Sequence, residues 1–309
     1  MMIQEKLKRK YRSKSQLSFL LFMEDVILTL YKLGRIRTSE TYRTTLNSFK
    51  RFLNGEDISI GQLNKDIIRA YEMYLKDIGI SPNSSSFYMR NLRAVYNRGV
   101  EKGLTTQKFP FKGVYTGVEK TRKRAIPLKT LKQIKAMQLG KKQDFARDML
   151  LFSFYTRGMS FIDMAYLKKS NIANGTLIYR RRKTGQQLHI RWEKCMQEIV
   201  EKYDNTQSCY LLPIINPLKD VEERKQYIYK AHNVNRNLKI IGNALQLPLP
   251  LTMYVSRHTW ASIAKSKNIP ISIISEGMGH DSEKTTRIYL ASLDTIALDR
   301  ANSMIIDLI

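Results

Sequence analysis

Between Ser18 and Gly103 the apolar residues fall into four successive runs with helical spacing, and a glycine closes each run: Gly34, Gly55, Gly79 and Gly103. The first run is Phe19, Leu20, Phe22, Met23, Val26, Ile27, Leu30 and Leu33. The second carries Tyr42, Leu46, Phe49, Phe52 and Leu53 behind a candidate cap at Thr38 or Ser39. The third spans about Asn64 to Ile78, and the fourth opens at Ser81-Pro82, where proline suits a first helical turn. Amphipathic helices of this length bury their apolar stripes most simply against one another, so residues 18–103 are predicted to form a small helical bundle.

At 309 residues the chain is long enough for a second core. Its charge says more: Lys+Arg number 53 against 27 Asp+Glu, a formal net charge of +26. Such a field implies a polyanionic partner, most simply nucleic acid. The bundle contributes Lys50, Arg51, Lys65, Arg69, Arg90, Arg93 and Arg98 on positions predicted to be exposed. A basic segment over 1–17 precedes it, and residues 104–125 read as a linker carrying Arg122, Lys123 and Arg124. No apolar run is long enough to span a bilayer, and no signal-peptide core opens the chain, so a cytoplasmic, nucleoid-associated protein without a membrane partner is expected. The two cysteines, Cys195 and Cys209, form no CxxC pair, and the four histidines have no zinc-site spacing, so neither a structural metal nor a cofactor is expected.

A second domain is predicted over 126–309, mainly helical with one small β-hairpin. Helices are expected near 127–137, 144–155, 193–203, 224–244, 252–266, 271–277 and 282–290. Ser160 can cap a further short helix with Asp163 at its third position. Residues 176–180 and 187–191 alternate as strands around a tip at Lys183-Thr184-Gly185-Gln186.

Two stretches near the end carry chemistry. Tyr254-Val255-Ser256-Arg257-His258-Thr259-Trp260-Ala261 precedes Gly277-Met278-Gly279-His280, and Tyr289 follows nine positions after that histidine. Arg257 can clamp a phosphate with its planar fork, His280 can hydrogen-bond the same group, and Tyr289 can attack it.

In order and spacing this pattern resembles the C-terminal signature of the tyrosine recombinases, the phage-integrase family. The resemblance implies a SAM-like core-binding domain followed by an α+β catalytic domain, the two forming a clamp on DNA. It implies a site-specific recombinase that cuts and rejoins double-stranded DNA at paired sites, for integration, excision or inversion, through a 3′-phosphotyrosine on Tyr289. It also implies a homotetramer on DNA, with accessory DNA-bending proteins as further partners, and neither ATP nor metal. A DNA-binding regulator that keeps the fold without activity is the alternative. A lysine on the β-hairpin protonates the leaving oxygen in the family; Lys183 occupies that turn, beside Arg181 and Arg182, which are assigned to DNA contact. His258 is a supporting companion of Arg257.

Two positions depart from the family pattern. The family's histidine three residues before the arginine is Tyr254 here, a weak base with a reference pKa of about 10. The family's first arginine aligns with Ser160, within Gly158-Met159-Ser160-Phe161-Ile162-Asp163. Arg157, one turn earlier, is expected to supply the missing charge, with Asp163 orienting it or a neighbouring donor.

Overall fold

The computed structural model describes residues 17–119, 124–203, 207–290 and 302–307. The chain divides between residues 121 and 122 into two compact units.

The first unit contains α1 (Phe19–Lys32), α2 (Ile36–Phe52), α3 (Lys65–Asp77) and α4 (Pro82–Glu101). Asn64 caps α3, its Oδ1 accepting from the amides of Asp66 and Ile67 at 3.0 Å each. Phe19, Met23, Leu46, Phe49, Leu75 and Tyr96 are among the fully buried core residues. The second helix starts earlier than its sequence suggests. Its first turn follows Arg35, and the Ser39 hydroxyl donates back to the Ile36 carbonyl instead of capping. The core also extends beyond Gly103: Phe111 and Val114 pack into it, and Tyr96 meets Phe111 edge-on. The sequence assigned these two residues to the linker, but their apolar side chains find a place under α4. Leu17 is likewise buried in this core, while residues 1–16 lie outside the described residues.

The second unit contains α5 (Leu128–Ala136), α6 (Lys141–Tyr155), α7 (Phe161–Ala165), three strands, and then α8 (Lys194–Lys202), α9 (Glu223–Ala244), α10 (Met253–Ser266), α11 (Ile271–Met278) and α12 (Glu283–Leu290). Helix α6 buries an unbroken run from Asp148 to Ser153 and packs against α9 and α10, as a helix apolar on most sides must. The strands β1 (Ile172–Ala173), β2 (Thr176–Arg180) and β3 (Gln187–Arg191) form an antiparallel sheet in that order. The two-residue β1 is an addition to the predicted hairpin. Leu177 pairs with Ile190 and Tyr179 with Leu188, so these side chains face inward together. A one-residue slip would expose all of them, which fixes the register and hence the hairpin tip. A smaller cluster of Ala261, Ala264, Ile274, Met278 and Leu290, with Trp260, joins α10, α11 and α12. Among the described residues no helix is long and apolar enough to cross a membrane.

Candidate active site

The chain reversal after α6 sets the floor of the site. Thr156 ends the helix, Arg157 and Gly158 both take positive φ (60° and 76°), and the Gly158 amide returns to the Ser153 carbonyl at 2.7 Å. A Cβ on Gly158 would lie 2.6 Å from the Arg257 Cα. Only glycine therefore allows this turn to press against α10. The contact serves Arg257, whose Nη1 donates to the Gly158 carbonyl at 2.9 Å.

Arg257 is 8% exposed. Its Nη2 donates to the Met278 carbonyl at 2.6 Å and meets His280 Nε2 at 3.0 Å. A guanidinium has no acceptor, so Nε2 accepts and the ring proton sits on Nδ1, 2.8 Å from Thr286 Oγ1. Burial first, and then the charges of Arg257, Arg181 and Lys183, push the His280 pKa down to about 4, which leaves the ring neutral near pH 7. Thr286, fully buried, and Leu290, 2% exposed, anchor α12 one turn apart on the same face. Tyr289 stands in that helix; its side chain lies outside the described residues.

Ser160 caps α7 and closes a reciprocal pair with Asp163: its Oγ donates to Asp163 Oδ2 at 2.6 Å and accepts from the Asp163 amide at 3.3 Å. The other carboxylate oxygen accepts the Arg182 amide at 2.9 Å. Asp163 thus ties the hairpin to α7 through backbone. The hairpin then splits its three basic residues. Arg182 lays its guanidinium over the Tyr166 ring, 3.9 Å from the centroid. Arg181 turns inward and Lys183 stays exposed, and both line a cavity of about 690 Å³ that Ser160, Tyr254, Arg257 and His280 also border. Arg124 reaches the same cavity, whose basic lining is opposed among the described residues by one acid, Asp281. Tyr254 is 53% exposed and stands edge-on to the buried His258, with ring centroids 4.6 Å apart.

The structure therefore brings Arg257, His280, Lys183, Ser160, Tyr254 and Arg124 together around one basic cavity. Arg157 is not on its wall; its Cδ lies 3.6 Å from where a Gly277 Cβ would stand, in the company of Trp260. The positive φ at Arg157 breaks the helical relation to Ser160 on which its expected role depended. Arg90 and Arg93 are exposed on α4 in the other unit, and Arg122 and Lys123 lie outside the described residues. Sequence reasoning missed Thr286, which holds the histidine, and Asn235 on α9, whose Oδ1 accepts the Met253 amide at the start of α10 at 2.9 Å. Neither has a sequence signal beyond being a short polar residue in an amphipathic run. Among the described residues no cluster of His, Cys, Asp and Glu could hold a metal ion.

Residues 18–114 match the phage integrase SAM-like domain. The chain is similar to the tyrosine recombinase XerA of Pyrococcus horikoshii, 24% identical over 250 residues that cover 73% of this chain and 83% of that one. In fold it is similar to a lambda integrase dimer bound to a COC′ core site, with a TM-score of 0.67 at 15% identity over 88% of this chain and 95% of the other. It is also similar to a lambda integrase tetramer bound to a Holliday junction, with a TM-score of 0.65 at 15% identity over 90% and 81%. Residues 18–114 are thus similar to the SAM-like domain of phage integrases and the fold is similar to that of lambda integrase, in keeping with the resemblance carried by Arg257, His280 and Tyr289.

Proposed function

We propose that this protein is a site-specific DNA recombinase that cleaves and rejoins double-stranded DNA through Tyr289. The observation that carries this reading is the Arg257–His280 pair, joined at 3.0 Å on the wall of a basic cavity and hydrogen-bonded to the helix that contains Tyr289. The scissile phosphate binds among Arg257, Lys183 and His280. The Tyr289 oxygen, giving up its hydroxyl proton to solvent, attacks phosphorus, the bond to the 5′ oxygen breaks, and the 3′ phosphate stays on tyrosine. Lys183 gives its proton to the departing 5′ oxygen. A 5′ hydroxyl of a partner strand then reverses the sequence of events, and the stored ester energy makes ATP unnecessary.

The neutral His280 fits this order. Its lone pair faces Arg257 until a phosphate arrives; the added negative charge then offsets the cations that depress the ring, and Nε2 takes a proton to become a donor. Lambda integrase, solved as a dimer on a core site and a tetramer on a Holliday junction, supports a matching assembly of four protomers on two sites. Arg90, Arg93, Arg122, Lys123, Arg124 and Arg182 are assigned to the DNA backbone around the cleavage point. Accessory DNA-bending proteins belong to the same reading, and recombination assays with and without added cell extract test for them.

A nicked suicide substrate, which loses its 5′ hydroxyl strand after cleavage, should trap a denaturant-resistant protein–DNA adduct. Tyr289→Phe should abolish it while retaining DNA binding. An adduct of normal yield from Tyr289→Phe would overturn the assignment. Failure of the wild-type protein to form any adduct, with specific binding intact, would favour the inactive regulator.

A further inference from the structure

A phosphodiester that becomes pentavalent carries two charged non-bridging oxygens, and Arg257 alone leaves one side of that charge unbalanced. Ser160, where the family carries its first arginine, is neutral, and its hydroxyl proton is already given to Asp163. The cavity wall on that side holds another cation. Leu177 and Tyr179 point inward from β2, and the same period-two alternation carries one residue past the strand to Arg181. The result is an arginine 6% exposed at the end of an apolar face.

Burying a guanidinium without counter-charge is costly, so a structural arginine at such depth is normally paired. Arg147, elsewhere in this unit, is an example: it contacts both Asp144 and Asp148. Arg181 has no carboxylate partner among the described residues. Its Nη1 donates to the Gly279 carbonyl, and its buried Nε has no hydrogen-bond partner among the described residues. The side chain is seated by design of the backbone: a Cβ on Gly279 would lie 2.8 Å from Arg181 Cδ. Gly279, at φ 62°, precedes His280, so one glycine both turns the chain into the histidine and admits the arginine beneath it. Arg181 lines the cavity with Arg257, Lys183 and Ser160.

We propose that Arg181, from the β-hairpin, is the second phosphate-binding arginine of this site and balances the charge that Ser160 cannot. The assignment rests on the recombinase reading above. It moves Arg181 from a general DNA contact to the reacting phosphate, and it replaces Arg157 in that role.

The test uses the suicide substrate in two forms, one with an ordinary scissile phosphate and one with a methylphosphonate, which lacks the charge to be balanced. Wild-type adduct formation on the ordinary substrate checks the recombinase reading independently. Given that, Arg181→Ala should lose cleavage of the ordinary phosphate by about a hundredfold or more, the usual loss when a preorganised donor is removed. It should come within about tenfold of wild type on the methylphosphonate, a recovery that follows from the neutral centre needing less charge. Arg157→Ala should cleave both at wild-type rates. Because Arg181 is buried, Arg181→Lys is measured alongside. It keeps a charge but not the fork, and its defect should also be smaller on the methylphosphonate. Equal losses on both substrates for whichever variant folds, or an Arg181→Ala rate within threefold of wild type on the ordinary phosphate, would overturn the proposal.

Discussion

Two of the arginines that border the cavity, Arg257 and Arg181, are held in opposite ways. Arg257 comes from a helix and is fixed on both nitrogens of its fork, by the Gly158 and Met278 carbonyls and by His280. Arg181 comes from the end of a strand and is tethered through Nη1 to a single carbonyl, with Nε unpaired among the described residues. The difference separates orientation from charge. One arginine is preorganised by the fold before any ligand arrives, and its hydrogen bonds also define the position of the histidine. The other is held chiefly by packing against a glycine, and it borders the cavity with no carboxylate partner among the described residues.

The contrast breaks most sharply at Arg257. Arg257→Ala should reduce cleavage by roughly a hundred- to a thousandfold, as the loss of one preorganised donor does elsewhere. It should also destabilise the second unit by about 1–3 kcal/mol, because buried carbonyls of Gly158 and Met278 lose their donor. Stopped-time adduct assays and thermal melts read the two effects; full activity would remove Arg257 from the site.

Gly158→Ala comes next. The φ of 76° and the 2.6 Å approach to the Arg257 Cα together leave no room for a methyl group. Strain of this kind costs about 1–3 kcal/mol, and cleavage should fall because the arginine is displaced. An unchanged melting temperature would mean that the turn relaxes freely and does not position Arg257.

Asp163→Asn acts on the hairpin side. Asparagine can still meet Ser160 and the Arg182 amide, but without the charge that strengthens both bonds. A loss of about 1 kcal/mol is expected, with DNA binding retained. A change as large as that of Arg257→Ala would show that Asp163 acts on the phosphate and not through the hairpin.

The smallest effect is one of pH. The His280 pKa is lowered from 6.5 to about 4 by burial and by the cations Arg257, Arg181 and Lys183, with Asp281 opposing them. The unfolded chain therefore binds the proton more readily than the folded one. The stability this gives is fully present above pH 6.5 and is lost as the pH falls through the folded value. His280→Gln should flatten that part of the stability profile, measured by denaturant melts across the range; an unaltered profile would contradict the depressed value.

Much of this architecture is legible before any coordinates. The strand pair 176–180 and 187–191, the Ser160 cap with Asp163, and the helices around Arg257 and Tyr289 all follow from local periodicity and capping chemistry. The two site readings that moved depended on tertiary facts. Arg157 lies one turn before Ser160 only if the helix continues, and positive φ at residues 157 and 158 ends it. Arg181 reads as one of three solvated basic residues at a hairpin tip. Its inward direction was available in the alternation of Leu177 and Tyr179, but only if that alternation is carried past the last paired residue. Phe111 and Val114 show the same limit, since isolated apolar residues among glycines and a proline have no period from which burial can be read.

The central claim is that covalent chemistry runs through one tyrosine of the 17 in the chain. The most direct measurement is to trap the adduct on a suicide substrate, digest the DNA to a short remnant and the protein to peptides, and locate the nucleotide by mass spectrometry. The account predicts a single modified peptide, with the remnant on Tyr289 and linked through a 3′ phosphate. A remnant on any other tyrosine, or a linkage through a 5′ phosphate, would contradict it.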